Sequence, residues 1–141
     1  MAQEFLHSCL FFNANRLSRV ITKMAEEEFA PTGLTPMYGY LIRLVNGAPG
    51  ISQKELSEKL YIAPSTVTRF VDKLEGKKLV ERKVQGKTVL IYPTDKGKQL
   101  EETIVRASRN LLLRYEAILG IEASGLLSRQ IEDTSDKLER E

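Results

Sequence analysis

Ser65, Thr66, Thr68, Arg69 and Lys73 fall in one run, IAPSTVTRFVDKLEGKKLVERK, around an apolar spine of Val67, Phe70, Val71 and Leu74. The spine has helical spacing, so the polar side chains take the remaining faces. Short hydroxyls near a helix N-terminus let the backbone approach the floor of a groove, and longer donors further along reach base edges. An arginine there can grip both major-groove acceptors of guanine. The chemistry this pattern points to is hydrogen bonding to duplex DNA, with Thr68 and Arg69 nearest the bases. Lys54, Lys59, Lys77 and Lys78 are spaced to touch phosphates and fix register. With Arg82 and Lys87 from the basic stretch that follows, the expected DNA-binding set is Lys54, Ser65, Thr66, Thr68, Arg69, Lys73, Arg82 and Lys87. A solvated helix face has a similar composition, so context must decide.

The surrounding elements supply that context. Upstream, ISQKELSEKL begins a short amphipathic helix with Ser52 as N-cap and Glu55 three residues on, the capping-box spacing. Ala63 and Pro64 interrupt the pattern before the opening helix, expected over 64–75, which gives helix-turn-helix spacing. Two runs rich in β-branched residues follow, 79–84 and 88–92, as a small hairpin. Charge follows the same division. Residues 51–98 carry 11 basic against 6 acidic side chains, residues 1–50 carry 4 of each, and residues 99–141 carry 6 against 9. A net charge of +2 thus hides a basic island in the middle of the chain.

Long helices are expected at both ends. Phe5, Cys9, Phe12, Leu17, Val20, Ile21 and Met24 recur near helical spacing, which predicts one helix over 4–29; Thr35 and Pro36 then open another over 36–45. From Thr94 the period returns through Leu100, Ile104, Ala107, Leu111, Tyr115 and Ile118 to Gly120, and a last helix carries Leu127, Ile131, Thr134 and Leu138. A helix of some 26 residues extends about 39 Å, longer than a domain of this size is wide. Its apolar stripe needs a partner, and a second copy of the chain would also present two recognition helices on one side of a duplex.

Taken together, these stretches resemble the MarR family of transcriptional regulators. The resemblance rests on ISQKELSEKLYIAPSTVTRFVDKLEGKKLVERK, with its Leu-Ser in the first short helix, Ser-x-x-Thr-Arg in the second and Leu-Val-x-Arg leading into the wing, and extends to GLTPMYGYLIRLV upstream and YPTDKG downstream. It implies a mainly α winged helix-turn-helix fold with a small β-hairpin wing. Residues 35–94 would be the DNA-binding lobe, and 1–34 and 95–141 the dimerisation helices. It further implies a homodimer on a pseudo-palindrome, usually repressing. Ser65, Thr66, Thr68 and Arg69 fall on the family's groove-facing positions. The wing departs from the pattern: the family commonly has an Asp-x-Arg at a longer tip, whose arginine enters the minor groove, whereas here the tip is Gln85-Gly86-Lys87-Thr88.

The resemblance also bears on the signal. Relatives bind small aromatic or anionic ligands between the dimer helices and the DNA-binding lobe, which makes Phe12, Arg16, Tyr38 and Arg43 the expected ligand-binding set. Some relatives of this fold sense peroxide through a cysteine near the start of the first helix, and Cys9 invites that reading; it also shares the apolar stripe with Phe5 and Phe12, as a small buried hydrophobe would. With one His and one Cys there is no metal cluster and no Cys/His dyad at recognisable spacing, and no Gly-rich phosphate loop. Neither an enzyme nor a cofactor is expected. The start MAQEFLHSCLFF lacks a basic region ahead of an apolar stretch, so the reading is a cytoplasmic chain with no membrane span. Two rival readings stay open: a regulator switched by Cys9 oxidation, and a winged-helix protein-interaction module without specific DNA binding.

Overall fold

Side-chain hydrogen bonds at Cys9, Ser52 and Thr94 set three of the helix starts. The computed structural model describes residues 4–141; residues 1–3, part of the expected 1–34 segment, lie outside the described residues. In order come α1 (Glu4–His7), α2 (Leu10–Phe29), a 3-10 turn (Ala30–Thr32), α3 (Pro36–Gly47), β1 (Ile51–Ser52), α4 (Gln53–Leu60), α5 (Pro64–Gly76), β2 (Val80–Gln85), β3 (Thr88–Pro93), α6 (Asp95–Gln99), α7 (Glu101–Leu119) and α8 (Ile121–Glu139). The fold is mainly α with one small antiparallel sheet, in the strand order β1-β3-β2: a winged helix-turn-helix flanked by long helices. No helix among the described residues is long and apolar enough to cross a membrane.

The expected helix over 4–29 is in fact broken at Ser8 and Cys9. Cys9 has extended backbone angles (φ −90°, ψ 113°), and its Sγ accepts the Phe12 N–H at 3.4 Å. A side chain that satisfies a first-turn N–H stabilises a helix start and competes with continuation of the preceding turn. Asn13 reinforces the break by donating from Nδ2 to the His7 carbonyl at 2.9 Å. The expected run from Thr94 to Gly120 is likewise divided, at Leu100. Thr94 caps α6 by accepting the Gly97 N–H at 3.0 Å, and a Cβ at Gly97 would collide with the Leu79 carbonyl. Only glycine lets α6 lie so close to the root of the wing.

Ser52 caps α4 as its spacing predicts, its Oγ accepting the Glu55 N–H at 3.0 Å. Ile51 and Ser52 also pair with Ile91 and Leu90 as a third strand. Two residues are too few to show a period of two, which is why the sequence pattern reads them only as a turn and a cap.

The core lies where α2, α3, α4, α5, the sheet and α7 meet. Phe29, Leu41, Ile42, Leu56, Leu74, Ile91 and Ile104 are fully buried there. Each such side chain contributes about 1.5–3 kcal/mol relative to exposure, so α5 rests on a firm base. Arg114 ties α7 to α2, reaching Glu27 at 3.0 Å and Glu28 at 3.1 Å. Those two carboxylates read from sequence as a solvated face.

Candidate nucleic-acid interface

Helix α5 buries Val67, Val71 and Leu74 and turns Ser65, Thr68 and Arg69 outward, with Thr66 half-buried beside them. Pro64 suits the first helical position, where its missing N–H leaves no bond unmade. The two threonine hydroxyls are engaged within the protein. Thr68 donates to the Pro64 carbonyl at 3.1 Å and accepts from Gln53 Nε2 at 3.3 Å, while Thr66 accepts from Arg69 Nη2 at 3.3 Å. Tyr38 of α3 packs on Phe70 with ring centroids 4.6 Å apart, and Lys73 Nζ lies 5.4 Å from the Tyr38 centroid.

Arg82, expected at the DNA, is held elsewhere. Its Nη2 lies 2.7 Å from Asp72 Oδ1 and 3.4 Å from the Thr68 carbonyl, Nη1 lies 3.4 Å from Glu75, and Nε donates to Gln53 Oε1 at 3.2 Å. The Arg82 backbone N–H also donates to Glu75 at 3.0 Å. Only 22% of the side chain is exposed. The planar fork of donors is spent on joining β2, α4 and α5, a task for which a lysine is less suited.

The wing completes the face. Gln85 pairs with Thr88, so Gly86 and Lys87 alone form the turn, with Gly86 at φ 61°. Between the wing, α4 and the start of α5 lies an open concavity of about 560 Å³, whose walls include Lys54, Ser65, Thr68, Lys87 and Thr88. Four of the eight sequence-predicted residues therefore meet in one place: Lys54, Ser65, Thr68 and Lys87. Thr66, Arg69 and Lys73 lie elsewhere on α5, and Arg82 lies in the network beneath.

A second region lies between α3 and the long helices. One cleft of about 340 Å³ is lined by Tyr40, Arg43, Ser108, Arg109 and Tyr115 among others. Another of about 450 Å³ shares Tyr40, Leu111 and Tyr115 and adds Ile21, Ala25 and Met37. Burial raises the Tyr40 phenol above its ordinary pKa, against a hydrogen bond to Ser108 that lowers it, so the group is a neutral donor near pH 7. Of the expected ligand set, only Arg43 lines these clefts. Tyr38 faces α5, Phe12 belongs to the first turn of α2, and Arg16 is exposed. Ser108 and Arg109 were missed because on α7 they read as ordinary polar positions of an amphipathic helix, and Tyr115 because its spacing reads as part of that helix's apolar stripe.

Residues 32–87 match the profile of the MarR family, from the end of the 3-10 turn to the tip of the wing. The lobe that carries the candidate interface is therefore similar to that of the MarR family. The HTH-type transcriptional regulator YybA of Bacillus subtilis (strain 168) is 27% identical over 128 residues, covering 88% of this chain and 80% of YybA. The likeness in fold extends beyond the matched lobe. The transcriptional repressor CouR, known from Rhodococcus jostii RHA1 and solved with p-coumaroyl-CoA, superposes with TM-score 0.78 at 24% identity, over 92% of this chain and 94% of CouR. MepR of S. aureus, solved in complex with DNA, superposes with TM-score 0.80 at 18% identity, over 92% of this chain and 98% of MepR. What the lobe of residues 32–87 is similar to is thus the corresponding part of transcriptional regulators.

Proposed function

We propose that this chain is a homodimeric repressor of the MarR type that binds a pseudo-palindromic DNA operator through α5 and is released by a small aromatic anion. The observation that carries the DNA reading is the face itself: α5 is fixed by three buried side chains, turns Arg69 outward, and with Ser65, Thr68 and two lysines from neighbouring elements surrounds one concavity. Arg69 reads base edges, and Lys54 and Lys87, with Ser65 beside them, hold the backbone. MepR, of the same fold, binds DNA, and the repressor CouR gives the sign of regulation proposed here.

The homodimer reading rests on where apolar surface is exposed. Phe11, Ile118 and Ile121 are 78%, 71% and 72% exposed, all on the end helices, and in α8 only Ser124 is buried. A helix with that apolar content and no core of its own gains from burial against a second copy. The cytoplasm is the compartment proposed for such a regulator.

The ligand reading rests on chemistry that converges on Tyr40. A neutral phenol beside the guanidiniums of Arg43 and Arg109 suits a carboxylate, and the neighbouring apolar cleft suits a ring. CouR, of the same fold, was solved with p-coumaroyl-CoA, which also joins an aromatic ring to anionic groups, there phosphates. Tyr40 and Tyr38 share α3, and Tyr38 packs on Phe70 of α5. A ligand that prefers one setting of α3 would thereby shift α5.

Fluorescence anisotropy with the chain's own upstream intergenic DNA and a scrambled duplex, at several salt concentrations, tests the reading. The expected result is salt-sensitive binding to the upstream DNA, about a thousandfold tighter than to the scramble. Weak and equal binding to both would move the interaction-module reading to the front.

A further inference from the structure

We propose that the wing grips the DNA backbone jointly with α4 and leaves the minor groove unread. This rests on the DNA-binding reading above and says how that site divides its labour. Minor-groove readout needs a long cation at a free tip, and the weakly hydrated guanidinium does it best. Residues 80–93 contain one arginine, Arg82. It sits at the root of the wing, in a 2.7 Å ion pair with Asp72 and bonded to Gln53 and the Thr68 carbonyl. Reaching DNA would require it to abandon all three.

The remaining cations of the hairpin are also accounted for. Lys83 Nζ lies 4.8 Å from the Tyr92 ring centroid, folded back along the sheet. Pairing continues to Gln85 and Thr88, so no loop projects past the strands. That leaves Lys87, which lines the same concavity as Lys54 of α4. Two ammonium groups, with the hydroxyls of Ser65 and Thr88 on the same walls, make an anion seat open to solvent. Ammonium groups bind phosphate as point charges and carry no base preference. The species this seat accepts is a backbone phosphodiester of the bound duplex. Sequence is then read by α5 alone, and bases flanking each major-groove contact contribute charge but no information.

Two sets of binding curves test this with the intact chain. In the first, A·T pairs flanking the α5 contacts are replaced by 2,6-diaminopurine·T, which adds a minor-groove amino group and leaves the major-groove pattern unchanged. The expected change in Kd is less than about twofold, set against the tenfold or more that base discrimination brings. In the second, Lys54→Ala, Lys87→Ala and the double variant are titrated at several salt concentrations on operator and scrambled duplexes. The double variant should lower the salt slope by about one phosphate's worth per subunit, not two, and weaken both duplexes by the same factor. A tenfold loss on diaminopurine DNA, or a Lys87→Ala loss confined to the operator, overturns the proposal while leaving DNA binding intact. Failure of the unaltered chain to bind either duplex overturns the DNA-binding reading and this proposal together.

Discussion

The Arg82 guanidinium lies 2.7 Å from the Asp72 carboxylate and joins the wing to the exposed helix α5. Through Gln53, Glu75 and the Thr68 carbonyl the same group also orients α4 and the first half of α5. Asp72 is 58% exposed, so solvent screening reduces the ion pair itself; the hydrogen bonds around it add the rest. Arg82→Ala should lower stability by about 1–2 kcal/mol and weaken binding to operator and scrambled DNA together. Arg82→Lys should recover only part of both, for want of the fork. Thermal melts beside anisotropy check this: lost binding with an unchanged Tm would make Arg82 a direct DNA contact after all.

Arg69 carries the opposite signature. Its guanidinium is exposed and meets only the Thr66 hydroxyl within α5, at 3.3 Å. Arg69→Ala should cost about 1–3 kcal/mol on the operator and narrow the gap between operator and scramble, with the melt unmoved. Equal losses on every duplex would reassign Arg69 to the backbone.

The contrast between these arginines shows what the sequence could reveal. Helix-turn-helix and hairpin are written in local signals, namely the Val67-Val71-Leu74 spine, the Ser52 cap and the β-branched strands, so both were legible. Arg82 and Arg69 both lie in the basic middle of the chain, and the tertiary meeting of β2 with Asp72 and Glu75 is what separates their roles. The clefts beside Tyr40 depend on how α3 crosses α7, a relation between segments more than 60 positions apart, which periodicity does not encode. The break at Cys9 turned on one thiol's bond to one N–H, whose strength is small beside that of the apolar stripe running through it.

Cys9 offers a test of the redox alternative that does not disturb the fold. Serine at an N-cap accepts the same N–H at least as well, so Cys9→Ser should keep or slightly raise Tm. Under the ligand-release reading, hydroperoxide should leave DNA affinity unchanged in both forms. Release in the natural chain but not in Cys9→Ser would establish a Cys9 switch instead.

Tyr40 gives the chain a specific alkaline limit. Burial raises its pKa in the folded state, whereas unfolding returns it to about 10. Below that value the phenol is neutral in both states and its contribution to stability is complete. As pH rises from about 10 through the folded value, only the unfolded chain sheds the proton, so this contribution is lost. Tyr40→Phe should remove that part of the decline, seen as convergence of the two denaturation-midpoint curves above pH 10. Parallel curves would mean that Tyr40 titrates as if exposed.

The exposed end helices make the assembly testable with a single side chain. Ile121 is 72% exposed and follows Gly120 at the start of α8. In an isolated chain Ile121→Glu replaces a solvent-facing residue near a helix N-terminus, where a carboxylate is mildly favourable, so the monomer should fold normally. In a dimer closed through α8 it would bury an unpaired charge, at a cost of several kcal/mol, felt in both subunits by two-fold symmetry. Light scattering should therefore find the natural chain as a dimer and Ile121→Glu as a folded monomer, with operator affinity reduced to that of a single half-site. If the variant remains a dimer, the interface avoids the α7–α8 junction and must be sought along the exposed face of α2 around Phe11.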